Sequence, residues 1–374
     1  MPEKTLNQRM KQINRQKIFR CLMRDGACTK QDLVTRLSLS LPTVNQNLAE
    51  LAETGLIEEN GSIGNTGGRR ARLYNVRYRA KTAVGLDITK THITAVLVDL
   101  SGEVIHTERV RYPFVLGEAY ARTLSELTAS CITAAGVAPE TVLGVGIAVP
   151  GLVTEDRKKI YYGKILNFTG RAVEDFSRFL PYPATLENDA NAAGFAEVWS
   201  CENLGNAFYI SLCNNIGGSV LIRNEIYTGV HQRAGEVGHM TVVPDGRECY
   251  CGKRGCFETY CAATILSDLA DGSLDGFFAL LENGSRRAAG IWEEYLQALA
   301  VAVNNIHMLF DCNVILGGYV GAHMEAYAPA LKRLAAARNT FASDAEYIRV
   351  CRYQTEAPAA GAALPYIDRF LKSL

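Results

Sequence analysis

The sequence predicts an α/β protein in two unequal parts. A small basic helical module comes first, and a large body built twice from a strand–turn–strand unit follows. Three observations carry this reading. Residues 1–85 hold fifteen Lys or Arg against seven Asp or Glu, and the remainder holds 24 against 32, so a net charge of zero conceals a basic head on an acidic body. Residues 82–99 (TAVGLDITKTHITAVLVD) and 207–227 (AFYISLCNNIGGSVLIRNEIY) both read as strand, polar turn, strand, which predicts duplicated halves. Residues 234–258 (AGEVGHMTVVPDGRECYCGKRGCFE) concentrate one histidine and three cysteines.

A chain of 374 residues predicts two or three domains. Its 48% hydrophobic and 21% charged content is that of a soluble globular protein, and no apolar run approaches the ~18 residues of a membrane span. The start, MPEKTLNQRMKQINRQK, lacks the apolar stretch of a secretory signal. Eleven scattered cysteines suit a reducing compartment better than a disulfide framework, so a cytoplasmic location is expected.

The first helix is predicted over residues 14–24, where Ile18, Phe19, Leu22 and Met23 share a face, and Asp25-Gly26 ends it. Thr29 caps a second helix with Leu33, Val34 and Leu37 inward, and Ser40 caps a third with Pro42 in its first turn. In the third, Leu41, Val44, Leu48 and Leu51 form one stripe. Pro42, Thr43, Asn45, Gln46 and Asn47 place small polar groups near its N-terminus, suited to reading base edges in a major groove. Strands at 56–59 and 72–76 flank the glycine-rich tip GSIGNTGGRRA, whose Arg69 and Arg70 suit phosphate or minor-groove contact. The outline is a winged helix-turn-helix over residues 1–80, and the +8 charge makes double-stranded operator DNA its expected partner.

In the body, helical pattern appears at 116–135, 291–310 and 360–373, and a strand at 314–316 leads into Gly317-Gly318. The densest chemistry is His239 with Cys249, Cys251 and Cys256: one imidazole and three thiolates complete a tetrahedral zinc shell with no position left for a reacting water. A structural zinc, one per chain, is expected there, with Gly252 and Gly255 permitting the tight turns. One ring nitrogen on the metal fixes the tautomer and aims the other at a ligand.

This segment resembles the signature of the ROK family of sugar kinases and sugar-gene repressors, and the similarity extends along nearly the whole chain. GIAVPGLV (146–153) and LENDANAAGFAE (186–197) also match family motifs. The resemblance implies an actin-like, ribonuclease-H-like fold of two lobes. The first lobe is expected over 81–195, completed by the helix 360–374, and the second over 196–359. It further implies a sugar site of Asn188, Asp189, Glu236, His239 and Glu258, in which Asp189 stands where the kinases place their general base. The N-terminal module resembles the DNA-binding domain of the repressor branch.

The nucleotide elements depart from the kinase pattern. The first turn resembles Asp-x-Gly-Gly-Thr but reads Asp87-Ile88-Thr89-Lys90-Thr91, without either glycine. The second reads Cys213-Asn214-Asn215-Ile216-Gly217-Gly218-Ser219 in place of Gly-Thr-Gly-Ile-Gly-x-Gly, and Tyr319 replaces the third glycine after Gly317-Gly318. Asn214 and Asn215 are able to keep the turn shape by adopting positive φ. The expected function is a sugar-responsive repressor, dimeric on paired half-sites, that binds a sugar without phosphorylating it. An active sugar kinase with a fused DNA-binding domain, and a repressor controlled by a protein regulator, remain the alternatives.

Overall fold

The computed structural model describes residues 6–63, 71–201, 204–353 and 355–374. Helix α1 (Leu6–Asp25) starts well before the residue 14 that apolar spacing predicts. Part of the extension is in tertiary contact. Gln12 and Gln16 each donate an Nε2 hydrogen bond, of 3.0 and 2.6 Å, to the carbonyl of Lys372 at the far end of the chain. Strand β1 (Cys28–Thr29) leads into α2 (Lys30–Leu37), which Thr29 caps in a reciprocal box with Asp32. Ser40 caps α3 (Leu41–Glu53). Val44, Leu48 and Leu51 of that helix join Ile18, Phe19, Leu22 and Leu33 in the module's core. Leu41, expected in the same stripe, is instead 47% exposed at the first helical position. Strands β2 (Ile57–Ile63) and β3 (Ala71–Val76) form the wing, in the order β1-β3-β2. Arg69 and Arg70 lie outside the described residues.

Each half of the body is a meander followed by parallel strands. In the first, β4 (Thr82–Ile88), β5 (His92–Asp99) and β6 (Val104–Arg111) run antiparallel; helix α4 (Glu118–Ala134) then crosses to β7 (Val142–Val149). A small ladder of β8 (Leu152–Val153) and β9 (Ile160–Tyr162) precedes β10 (Ala184–Asn188), giving the order β10-β7-β4-β5-β6. Helix α5 (Asp189–Ser200) leads away from it. The second half repeats the plan. Strands β11 (Ala207–Leu212), β12 (Ile216–Ile222) and β13 (Glu225–Tyr227) form the meander. Helix α6 (Arg286–Phe310), capped by Ser285, crosses to β14 (Asn313–Gly317), and β15 (Ile348–Val350) completes the order β13-β12-β11-β14-β15. The last helix, α7 (Ala357–Ser373), returns to pack on β4, β7 and α5 of the first half.

Helices α5 and α7 join the halves: α7 lies on the first sheet, and α5 packs against β11 and β12 of the second. Helix α7 approaches both α5 and the first sheet backbone to backbone. A Cβ on Gly361 would stand 1.7 Å from the carbonyl oxygen of Ala192, and Cβ atoms on Gly85 and Gly146 would stand 1.8 Å from the carbonyls of Ala359 and Ala362. The N-terminal module docks beside this crossing. Leu371 and Leu374 belong to the same buried cluster as Ile18 and Phe19, and the Tyr78 hydroxyl donates to the carbonyl of Met23 at 3.2 Å.

On an open helix face, Gly→Ala is stabilising. Here Gly361→Ala is expected to destabilise the chain by about 1–3 kcal/mol, the usual cost of overpacking. The shift in denaturant midpoint decides the matter, and an unchanged or higher midpoint refutes the close approach.

Candidate functional site

The knuckle forms between short antiparallel bridges, Thr241 with Cys256 and Glu248 with Arg254. Gly252 and Gly255 take φ of +88° and +76°, and a Cβ on Gly255 would meet the Val243 carbonyl oxygen at 1.7 Å, so a side chain is excluded there. His239, Cys249, Cys251 and Cys256 bring one ligand atom each within 4.8 Å of one another, a group that can hold a metal ion. Cys249 Sγ lies 3.7 Å from His239 Nδ1, and Cys251 Sγ lies 3.7 Å from Cys256 Sγ. A tetrahedron with metal–sulfur bonds of about 2.3 Å has edges of about 3.8 Å. Nδ1 therefore faces the sulfurs, while Nε2 points to the Tyr250 hydroxyl at 3.4 Å.

Asn188 ends β10 and caps α5. Its Oδ1 accepts the Asn191 N–H at 2.9 Å, and its Nδ2 donates to the Gly151 carbonyl at 3.1 Å. Asp189 is the first residue of α5. Together with Glu236 and His239 these two line a cavity of about 80 Å³ between the halves. Glu258, expected on the same surface, is buried behind it. It accepts from Asn215 Nδ2 at 3.0 Å and from the Ile216 N–H at 3.3 Å, and so holds the β11–β12 turn. Burial pushes the Asp189 carboxyl up to about 7, despite the Ala190 N–H that favours its charged form. Burial also raises Glu236 and Glu258.

A second cavity, of about 150 Å³, adjoins the first and shares Pro150, Ile165, Asp189, Ser211 and Asn215 with it. The altered turns line it with Asp87, Thr89, Lys90, Cys213, Asn214, Gly318 and Tyr319. Neither Asn214 nor Asn215 has positive φ, so the glycine-like turn is not reproduced by asparagine. Gly217 and Gly218 serve close packing instead: added Cβ atoms would meet Ala190 Cβ at 2.8 Å and the Gly235 carbonyl oxygen at 2.7 Å. Burial first, and Asp189 second, push the Asp87 carboxyl up to about 8.

On α3, Pro42 and Gln46 are exposed, and Thr43 and Asn45 are half-buried. Asn47, expected on the reading face, is buried and donates to the Thr43 carbonyl at 2.8 Å, so it braces the helix from within. Tyr162 and Tyr250 line the first cavity without having been singled out from the sequence. Tyr250 carried a signal, since it lies between two cysteines of the knuckle. Tyr162 carried none, because only the folded β8–β9 ladder brings it to the cleft.

Asp87 titrates among Asp189, Arg109, Tyr120, Tyr319 and Cys213. A carboxyl whose folded pKa is raised costs nothing below its unfolded value and destabilises the fold increasingly as pH climbs to the folded one. Asp87→Asn is therefore expected to gain stability over the parent between about pH 4 and pH 8. Thermal midpoints of both proteins across that range test this, and a pH-independent difference contradicts it.

Residues 83–368 match the model of the ROK family, and residues 4–58 match a winged helix-turn-helix DNA-binding model. The chain is 28% identical over 262 residues to the xylose repressor of Bacillus subtilis strain 168, covering 69% of this chain and 67% of that protein. It is also 28% identical over 261 residues to a glucokinase of Streptomyces coelicolor, covering 63% of this chain and 80% of the relative. The crystal structure of a ROK family transcriptional regulator, a homolog of the E. coli MLC protein, superposes with a TM-score of 0.75. It is 20% identical and covers 97% of both chains.

Proposed function

The chain belongs to the ROK family and carries a winged helix-turn-helix at its N-terminal end, and from this premise we propose that it is a sugar-responsive transcriptional repressor. It binds operator DNA through the winged helix and a sugar between the lobes, without phosphorylating it. The observation that carries the reading is the docking of the module: α1 hydrogen-bonds to the last turn of α7, the helix that also packs against α5 at the lobe crossing. A ligand that favours one lobe arrangement is thereby linked to the position of the DNA-binding module. Pro42, Thr43, Asn45 and Gln46 read bases, and Arg69 and Arg70 serve phosphates. A homodimer places two winged helices on two half-sites, multiplying affinity through effective concentration. A cytoplasmic location follows from this role, and among the described residues no helix is long and apolar enough to cross a membrane.

Asn188, Asp189, Glu236 and His239 bind hydroxyls, with Glu258 fixing the turn beneath them. The loss of glycine from both nucleotide turns, with Tyr319 on the wall of the second cavity, supports binding without turnover. The kinase reading keeps one observation in its favour, an Asp189 carboxyl near neutrality and so in the range of a general base. The test uses the full-length chain and a duplex selected by it from genomic fragments. Xylose, glucose and N-acetylglucosamine are screened for binding and then for release of the duplex. One is expected to do both, and Asp189→Asn is expected to stay on DNA at concentrations that release the parent. Hexose-dependent ATP turnover at roughly 1–100 per second would make the protein a kinase instead.

Zinc suits the His239–Cys249–Cys251–Cys256 set, whose soft sulfurs and one imidazole leave no open position. The ion supplies structure only, holding the knuckle and the tautomer of His239. About one zinc per chain is expected by elemental analysis. Cys251→Ser should lose it with a lower thermal midpoint, and a metal-free parent of undiminished stability rules zinc out.

A further inference from the structure

We propose that Tyr162 and Tyr250 form an aromatic clamp that recognises the C–H face of a sugar ring; the proposal rests on the sugar reading of the cleft. A pyranose carries its hydroxyls around the rim and C–H groups on its two faces. Polar side chains read the rim, and aromatic rings read the faces. The cleft floor, made by Asn188, Asp189, Glu236 and His239, meets only the first need.

The second need is met at the cavity's edge. Tyr250 is 61% exposed, Tyr162 45% and Ile165 40%, and all three line the same cavity. Scattered exposed apolar residues require no explanation, but three on the edge of one small cavity do. They come from opposite halves, Tyr162 and Ile165 from the β9 region and Tyr250 from the knuckle. Tyr250 lies between Cys249 and Cys251, so its backbone is tied on both sides to the metal-ligating set. Its ring meets His239 edge-on at 5.3 Å between centroids, and its hydroxyl lies 3.4 Å from His239 Nε2. The opposite jaw is held as well. Tyr162 pairs with Leu152, and the adjoining Tyr161 hydroxyl donates across the cleft to the carbonyls of His231 and Gln232 at 2.7 and 3.2 Å. Since the two rings ride on different lobes, gripping one sugar between them favours closure, and the knuckle sets where one jaw stands.

The experiment measures affinity for xylose, glucose and N-acetylglucosamine by calorimetry on the full-length parent and on Tyr250→Ala, Tyr250→Phe and Tyr162→Ala, with metal content measured alongside. Each alanine variant is expected to keep its metal and bind the preferred sugar about tenfold more weakly, as loss of an aromatic contact implies. Tyr250→Phe, which keeps the ring, is expected to stay within about twofold of the parent. Parent-like affinity in the alanine variants overturns the clamp and leaves the sugar site standing. So does a phenylalanine variant as weak as the alanine one, since the hydroxyl and not the ring would then do the binding. Loss of metal together with sugar affinity in Tyr250→Ala assigns the residue to holding the knuckle and equally overturns it. A parent that binds none of the three sugars overturns the sugar reading and the clamp with it.

Discussion

Everything else in the molecule depends on the crossing of α5 and α7, where two helices meet through glycine and alanine alone at their closest approach. Gly361 lies against the Ala192 carbonyl, while Gly85 and Gly146 of the first sheet lie against the carbonyls of Ala359 and Ala362. Close-packed backbones of this kind have few alternative arrangements, so the crossing acts as a stiff pivot. The floor of the cleft begins at one end of that pivot, since Asn188 caps α5 and Asp189 opens it. The DNA-binding module is attached at the other, since Gln12 and Gln16 satisfy a carbonyl that the end of α7 would otherwise leave unpaired. A site in the body and a reader of DNA thus share one rigid part.

The chemistry of the cleft follows from burial without compensation. Asp87 and Asp189 lie in one cavity, and burial raises both carboxyls. A phosphate-rich ligand there would need many backbone N–H groups at close range, and the substituted turns do not have the glycines that permit such an approach. Neutral hydroxyls, able both to donate and to accept, suit raised carboxyls and an imidazole better. The knuckle contributes by orientation: with Nδ1 turned toward the sulfurs, Nε2 is left to face the cleft.

The sequence by itself determined much of this. Local signals located the capped helices of the module, because Thr29 and Ser40 act within four residues of themselves. The repeated strand–turn–strand units announced the duplication, and the His239–Cys249–Cys251–Cys256 group that can hold a metal was legible because its members sit within eighteen positions of one another. Tertiary structure alone decided the rest. The N-terminal half of α1 is fastened at Gln12 to a carbonyl 360 residues away. Leu41 and Asn47 exchanged expected roles, because helical periodicity gives a face but not where the neighbouring helices end. Asn214 and Asn215 kept negative φ although asparagine tolerates positive values, since permission is not a requirement. Glu258 went behind the site instead of onto it, and Tyr162 came to its edge, because which side of a strand or turn meets the other lobe is fixed only when the two sheets are set against the crossing helices.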